Sequence, residues 1–160
     1  MQIRFRNSFG MEMDPKSLIR DIVDFLKERP ECRYTIIIGT DSLRLPNNRA
    51  DFVSAIVVHR VGNGGRYYWR RDDFGLFHTL RDRIIQEVLA SIDVAKELLE
   101  VLKARKNLPA WNFEIHADIG ENGETKKLIQ EVVGMIRANN FEVRTKPESY
   151  AASKVADRYV

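Results

Sequence analysis

The sequence has few of the features that stabilise small secreted folds or anchor a protein in a membrane. Its 160 residues include one cysteine, Cys32, so no internal disulfide can form. No apolar run is long enough to cross a bilayer, and the first residues show no secretory signal pattern. We therefore expect a single domain over residues 1–160 in the reducing cytoplasm, without a membrane partner. The oligomeric state stays open.

Internal repeats and low-complexity segments are also absent from the sequence, and the charge excess is small. The formal net charge is +3, which is compatible with nucleic-acid binding but is common in proteins that never bind it. A domain of this length buries about 70% of its unfolded surface, so a core can form without disulfides or structural metal. Function must therefore be inferred from motifs.

The most informative stretch is an apolar run that ends in an acid. Residues 34–42 contain three consecutive isoleucines followed by Gly39, Thr40, Asp41 and Ser42. Isoleucines without polar alternation predict a strand that is buried on both faces. An ionised carboxylate beside such a core is costly unless it is paired, hydrogen-bonded or bound to metal. Asp41 is therefore the first candidate site residue.

Patterns along the rest of the chain predict a mixed α/β fold. Asp14 and Pro15 predict the start of a helix that ends near Pro30, and the glycine-rich residues 62–65 predict a hairpin turn. Apolar periodicity predicts strands at 34–42, 52–59, 66–71, 111–117 and 141–145, and helices at 77–106, 122–138 and after Ser149. This order implies a five-stranded mixed sheet, three strands antiparallel and two parallel, with helices on both faces and an extra N-terminal helix. Residues 1–13 fit either a short edge strand or a loose basic arm.

Three further acids fall where this layout places carboxylates against the sheet. Asp118 ends the fourth predicted strand, Glu87 lies on the rim of the apolar face of the long helix, and Asp157 follows small residues in the last helix. Converging carboxylates repel one another unless divalent cations neutralise them. Oxygen ligands suit Mg²⁺ or Mn²⁺, and two such ions promote in-line displacement at a phosphodiester. The acids therefore predict a metal-dependent nuclease.

Each candidate also has a structural alternative. Asp41 and Asp118 can cap a turn or a helix, Glu87 can pair with Arg81 or Arg83, and Asp157 can pair with Lys154 or Arg158. Four more residues are candidate substrate contacts, each of which can instead be a core or solvated side chain: Ser42, His116, Lys146 and Lys154. The alternation of arginines with aromatic residues at 66–71 fits a nucleic-acid surface or the solvent face of a strand.

Taken together, the motifs resemble the ribonuclease H-like superfamily, and more closely the bacterial YkuK-type family of predicted ribonuclease H-related nucleases. The resemblance covers essentially the whole chain and rests on Ile38-Gly39-Thr40-Asp41-Ser42, on residues 116–120 with Gly123 and Thr125, and on residues 146–149 with Ala156-Asp157. It implies that Asp41 lies between two metal ions, Asp157 on the ion that activates water, and Glu87 with Asp118 on the ion facing the leaving group.

The implied partner is nucleic acid, as RNA, DNA, a hybrid or a branched junction. The leading alternative is a ribonuclease H-like module that binds nucleic acid without cutting it. Residues 118–123 are also similar to phosphate loops of actin-like ATPases, but those proteins bind nucleotide between two domains. One domain of 160 residues cannot form that cleft.

Overall fold

The computed structural model describes residues 4–121, 123 and 125–160, which form one mixed sheet with helices packed on it. The strands are β1 (Phe5–Asn7), β2 (Glu12–Met13), β3 (Tyr34–Arg44), β4 (Ala50–Arg60), β5 (Gly65–Asp72), β6 (Trp111–His116) and β7 (Glu142–Arg144). The helices are α1 (Pro15–Glu28), α2 (Leu80–Lys103) and α3 (Ile129–Ala138), the last preceded by a 3₁₀ turn (Lys126–Leu128). A π-helix (Ala151–Ala156) and a 3₁₀ turn (Asp157–Tyr159) follow, and we call them together the C-terminal segment.

The sheet has the order β2-β1-β5-β4-β3-β6-β7, with β3 in its interior between β4 and β6. Strands β3, β4 and β5 pair antiparallel, whereas β6 is parallel to β3 and β7 is parallel to β6. The expected mixed α/β fold is confirmed, but the expected number of five strands is wrong, because the sheet has seven. The two additional strands, β1 and β2, form a hairpin on the free edge of β5. Strands of three and two residues are too short to leave a periodic pattern in the sequence.

Local signals placed most element boundaries well. Asp14 caps α1 by accepting a hydrogen bond from the Ser17 amide at 2.7 Å, as the sequence predicted. Thr79 caps α2 in the same way, so this helix begins three residues after the predicted start at residue 77. The predicted start of the next helix, Asn122, lies outside the described residues. No helix within the described ranges is long and apolar enough to cross a membrane.

The two faces of β3 are covered by different parts of the chain. Ile36 and Ile38 belong to the main core, which also contains the buried side chains of α1, α2 and α3. Ile37 points to the opposite face, where it packs with Val57 and with Ala151 of the C-terminal segment. Coverage on both faces explains why the isoleucines follow one another without polar alternation.

A chain of buried hydroxyl groups joins α2 to the sheet beside the end of β3. The Thr40 hydroxyl oxygen lies 2.9 Å from that of Ser54 on β4 and 2.8 Å from that of Ser91 on α2. All three side chains are buried, so these hydrogen bonds form without competition from water. They fix how α2 sits on β3, and therefore the position of Glu87, which lies one helical turn before Ser91.

The hydroxyl chain gives a test of packing at this point. Thr40→Val removes the central hydroxyl while keeping the shape of the side chain, which leaves Ser54 and Ser91 short of a buried partner. We expect the free energy of unfolding to fall by about 1–3 kcal/mol, measured by urea denaturation. Thr35→Val, at a half-buried position of the same strand, is the matched control. A loss no larger than that of the control would show that the hydroxyl chain does not stabilise the fold.

Candidate active site

Asp41 lies where β3 leaves the core. Side chains alternate along a strand, so Asp41 faces the same side of the sheet as Ile37, the side that the C-terminal segment covers. There the carboxyl of Asp157 forms a hydrogen bond with the carboxyl of Asp41. Two carboxyl groups can share a hydrogen bond only when one of them carries a proton. The pair therefore needs either that proton or a cation.

The surroundings of Asp41 favour its protonated form. Burial, followed by the hydrogen bond with Asp157 and the charges of Asp118 and Asp157, raises the pKa of Asp41 from 3.8 to about 7. The Ser42 amide, 2.9 Å from Asp41 Oδ1, acts in the opposite direction. Near neutral pH the proton on Asp41 can therefore exchange for a cation at little cost.

Glu87 approaches the end of β3 from α2. Its side chain is buried, and Ser42 donates its hydroxyl hydrogen to Glu87 Oε1 at 2.5 Å. Burial raises the pKa of Glu87 to about 8, while the hydrogen bond from Ser42 lowers it. Arg81 pairs with Glu131 of α3 instead of Glu87. Ser42, a predicted substrate contact, thus orients the Glu87 carboxyl in this structure.

Asp118 lies two residues beyond the end of β6. The Lys146 ammonium is 3.5 Å from Asp118 Oδ1, which is a buried atom. No residue in the described part of the chain donates a hydrogen bond to that oxygen, so Oδ1 does not cap a turn or a helix. The stem of Lys146 passes over Gly120, where an added Cβ would lie 3.0 Å from Lys146 Cβ. Glycine at 120 therefore leaves room for this ion pair.

The four predicted acids form two pairs. Asp41 meets Asp157, while Glu87 and Asp118 line one cavity of about 10 Å³, which has room for about a single water molecule or ion. Within the described ranges, no three His, Cys, Asp or Glu side chains form a ready-made metal site. The acids thus do not converge on a single point.

The donors nevertheless suit hard divalent cations. All of them are carboxylate oxygens, which Mg²⁺ and Mn²⁺ prefer. One observation suggests that a positive charge is missing, since Asp41 needs a proton to sit beside Asp157. Asp118 Oδ1 is buried without a hydrogen-bond donor among the described residues, although the Lys146 ammonium lies 3.5 Å away. A cation at either pair would remove an electrostatic cost that the fold now carries.

His116 is buried, and both of its ring nitrogens are already hydrogen-bonded. The Ala151 amide donates to Nδ1 at 3.2 Å, so Nε2 carries the hydrogen and donates to Glu114 Oε1 at 2.8 Å. The Tyr150 ring packs edge-on against the imidazole, with 4.8 Å between ring centroids. This geometry favours the structural alternative, in which His116 ties the start of the C-terminal segment to the sheet.

The predicted basic surface on β5 is largely neutralised by neighbouring acids. Arg66 pairs with Asp21 at 3.1 Å, Arg70 with Asp72 at 2.6 Å, and Arg71 with Asp51 at 3.1 Å. These ion pairs favour a structural role for the three arginines. Lys154 is exposed on the C-terminal segment and stays a candidate phosphate contact.

A second basic feature escaped the sequence analysis. A pocket of about 170 Å³ at the start of α2 is lined by Arg44, His78, Thr79 and Arg83, among others. Arg44 lies three residues after Asp41, and Arg83 lies one helical turn before Glu87. The sequence signal for this pocket is that an arginine lies within four residues of each of two candidate acids.

Comparison with known proteins gives similar sequences over most of the chain. The model of the ribonuclease H-like family matches residues 17–160. The chain is 30% identical to the uncharacterized protein YkuK of Bacillus subtilis (strain 168), over 97% of this chain and 95% of that protein. Among solved structures, a foamy viral protease-reverse transcriptase in complex with double-stranded DNA matches with a TM-score of 0.39 and 14% identity, over 81% of this chain and 92% of that chain. That score is too low to support an argument.

The raised pKa values predict that the metal-free protein loses stability as the pH rises. Between pH 3.8 and about 7, native Asp41 keeps a proton that the unfolded chain has released, and for Glu87 the window runs from 4.5 to about 8. In such a window the free energy of unfolding falls with rising pH, by at most about 1.4 kcal/mol per pH unit for each carboxyl. We expect urea denaturation to show this fall, and Mg²⁺ to reverse it at pH 8.

Asp41→Asn isolates the contribution of one carboxyl to the pH dependence of stability. The variant cannot ionise at this position, so at pH 8 without metal we expect its Tm to exceed that of the wild type by roughly 2–4 °C. Asp93→Asn, at an exposed position of α2, is the control and should leave the pH profile unchanged. Identical profiles for wild type and Asp41→Asn would show that Asp41 does not stay protonated towards neutral pH.

Proposed function

The chain belongs to the ribonuclease H-like family, and from that premise we propose that it hydrolyses phosphodiester bonds in RNA or DNA with the help of divalent metal ions. The observation that carries the proposal is the surroundings of Asp41. Its carboxyl bonds to Asp157 and lies close enough to Asp118 for that charge to raise its pKa. Both neighbours come from the elements that the family resemblance makes catalytic.

The two acid pairs are the proposed ligands for two ions. Asp41 and Asp157 would hold one ion and Glu87 with Asp118 the other, with Asp41 near both pairs. Bound there, divalent ions supply positive charge that activates water and stabilises the leaving oxygen. The chain itself orients these ligands: Ser42 holds the Glu87 carboxyl, and the Thr40 hydroxyl chain sets the depth of α2. Such supporting contacts fix ligand geometry.

Positive side chains around the acids support a polyanionic substrate. Lys146 is half-exposed and lies 3.5 Å from Asp118, so its ammonium can turn to a phosphate when a cation occupies the carboxylate. In the pocket at the start of α2, Arg44 and Arg83 add further positive charge, two residues after Ser42 and one helical turn before Glu87 respectively. These groups offset the repulsion between a row of acids and a nucleic-acid backbone.

One observation favours a second function, binding of nucleic acid without cleavage. No three acids of the described chain form a ready-made metal site, and Lys146 already neutralises Asp118. A scaffold with its acids in this arrangement can keep the basic pocket for binding while lacking hydrolysis. The two functions can be distinguished by adding metal ions: a nuclease then cleaves the nucleic acid, whereas a binding module leaves it intact.

The direct test is cleavage of end-labelled substrates with Mg²⁺ or Mn²⁺. Single-stranded RNA and DNA, duplexes, an RNA/DNA hybrid and a four-way junction are compared in parallel. We expect metal-dependent cleavage that falls by about 10²–10³-fold in Asp41→Asn and in Asp118→Asn, because each removes charge stabilisation from the transition state. Asp93→Asn, purified identically, should cleave like the wild type. Equal cleavage by all variants would indicate a contaminating nuclease, and binding without any cleavage would favour the second function.

Arg44 tests whether the basic pocket contacts the nucleic-acid backbone. In the Asp41→Asn background, Arg44→Ala should weaken binding to all substrates and reduce the slope of log K against log salt by about 1. Fluorescence anisotropy at several salt concentrations measures both quantities. Arg105→Ala, just beyond the far end of α2, is the matched control. If both variants lower the slope equally, the effect comes from net charge and the pocket has no special part in binding.

A further inference from the structure

The C-terminal segment contacts the sheet through two alanines and through the partly buried Val155, which packs in both apolar clusters of this face. Ala151 packs with Ile37, and Ala156 packs with Val53 and Ala55. Both alanines are fully buried, so the segment lies close to the sheet. Alanines bury little apolar area and make no directional contact. Asp157, at the end of this stretch, is exposed. Apolar packing does not orient a carboxyl, so the direction of the Asp157 side chain depends on a further, directional interaction.

That interaction is made two residues beyond Asp157. The Tyr159 ring stacks on Trp69, with ring centroids 4.2 Å apart and planes at 9°. The hydroxyl oxygens of Tyr159 and Tyr67 are 2.5 Å apart, and Arg71 donates a hydrogen bond to the Tyr159 carbonyl. We call Tyr67, Trp69, Arg71 and Tyr159 the tyrosine latch. Residues 67, 69 and 71 alternate along β5, so all three reach the face that the segment covers.

The register of the sheet places the tyrosine latch level with the candidate site. Arg71 pairs with Val53, and Val53 pairs with Asp41, so these residues form one row across β5, β4 and β3. Neighbouring strands are about 4.8 Å apart, so the backbone of Arg71 lies about 10 Å from that of Asp41. Tyr159 contacts β5 while Asp157 reaches β3, so the side chains at the two ends of one 3₁₀ turn together bridge this distance. Fixing Tyr159 therefore restricts Asp157.

The residue between them also points to the latch. Arg158 Nη1 lies 3.4 Å from the Tyr67 hydroxyl, and its guanidinium carbon is 5.7 Å from the Tyr67 ring centroid. Arg158 is thus directed towards β5 and not towards Asp157, the partner that sequence proximity suggested. This leaves the Asp157 carboxyl to face Asp41.

We propose that Tyr159 is a positioning residue, which holds Asp157 against Asp41 so that the pair can bind a divalent ion. The inference rests on the proposed function, because it concerns the same acids. Loss of the latch frees the end of the segment, and the Asp157 carboxyl then spends less time beside Asp41. The fold survives this loss, because the main core lies on the other face of the sheet and contains no latch residue.

The test measures Mn²⁺ binding directly, by electron paramagnetic resonance of the free ion, in wild type and variants without substrate. Tyr159→Ala should weaken binding at the Asp41–Asp157 pair by about tenfold, a typical effect for a residue that supports a metal ligand. Tyr159→Phe keeps the stack and loses only the hydroxyl contact, so its loss should be smaller. Tyr159→Phe also provides the test if Tyr159→Ala does not fold. Phe9→Ala removes a phenyl group that is 88% exposed at the β1–β2 turn, and it should bind Mn²⁺ like the wild type.

A double-mutant cycle separates positioning from a general structural effect. In an Asp157→Asn background, Tyr159→Ala should cause no further loss of Mn²⁺ affinity if Tyr159 acts through Asp157. An equal loss of Mn²⁺ affinity in both backgrounds, or wild-type affinity in Tyr159→Ala, would show that Tyr159 does not position Asp157. Neither result would contradict the proposed function. A wild-type protein that neither binds Mn²⁺ nor cleaves would overturn both.

Discussion

The pairing of β3 on both edges, combined with cover on both faces, fixes the rest of the site. Eleven consecutive residues of β3 pair with β4, and six of them also pair with β6. A one-residue slip of this strand would exchange its two faces and move Asp41 under α2. The isoleucine run makes such a slip prohibitive, since both faces are already packed. Asp41 is thus held in place, and the elements around β3 bring Asp157 to it and bring Glu87 and Asp118 together as a second pair.

Because β3 is held rigidly, the carboxylates around its end cannot move apart and therefore repel one another. The fold brings Asp157 and Asp118 close enough to Asp41, and Asp41 close enough to Glu87, for each charge to raise a neighbour's pKa. An isolated protein relieves this repulsion with protons and with Lys146. Divalent cations relieve it better, since one ion offsets two carboxylates at once. Electrostatic repulsion among the carboxylates in the absence of metal is therefore expected for a protein with the proposed function.

The sequence predicted those parts of the molecule whose structure is determined by residues close together in the sequence. The isoleucine run, the Asp14 cap and the glycine turn at 62–65 are local signals, and each led to the observed element. Residues 1–13 could not be decided between an edge strand and a loose arm, because the pairing of β1 depends on the free edge of β5, more than fifty residues away. The stack of Tyr159 on Trp69 has no local signal at all, because its partners lie 90 residues apart in the chain. Asp41 and Asp118 are candidates from sequence alone, because an acid at or just beyond the end of an apolar strand stands out, but the pairing of Asp41 with Asp157 depends on contacts distant in the chain.

The two acid pairs are supported in physically different ways. Glu87 stands on a long helix whose buried residues belong to the main core, and its carboxyl is fixed by Ser42. Asp157 stands on a short segment of π and 3₁₀ turns, which is held by two small apolar clusters, the stack of Tyr159 on Trp69 and one imidazole contact. Local opening costs little where few apolar contacts must be broken, so the Asp157 side can open while the Glu87 side stays closed. A phosphodiesterase must admit a long polymer and release its products, and a site that is rigid on one face and can open on the other meets both demands.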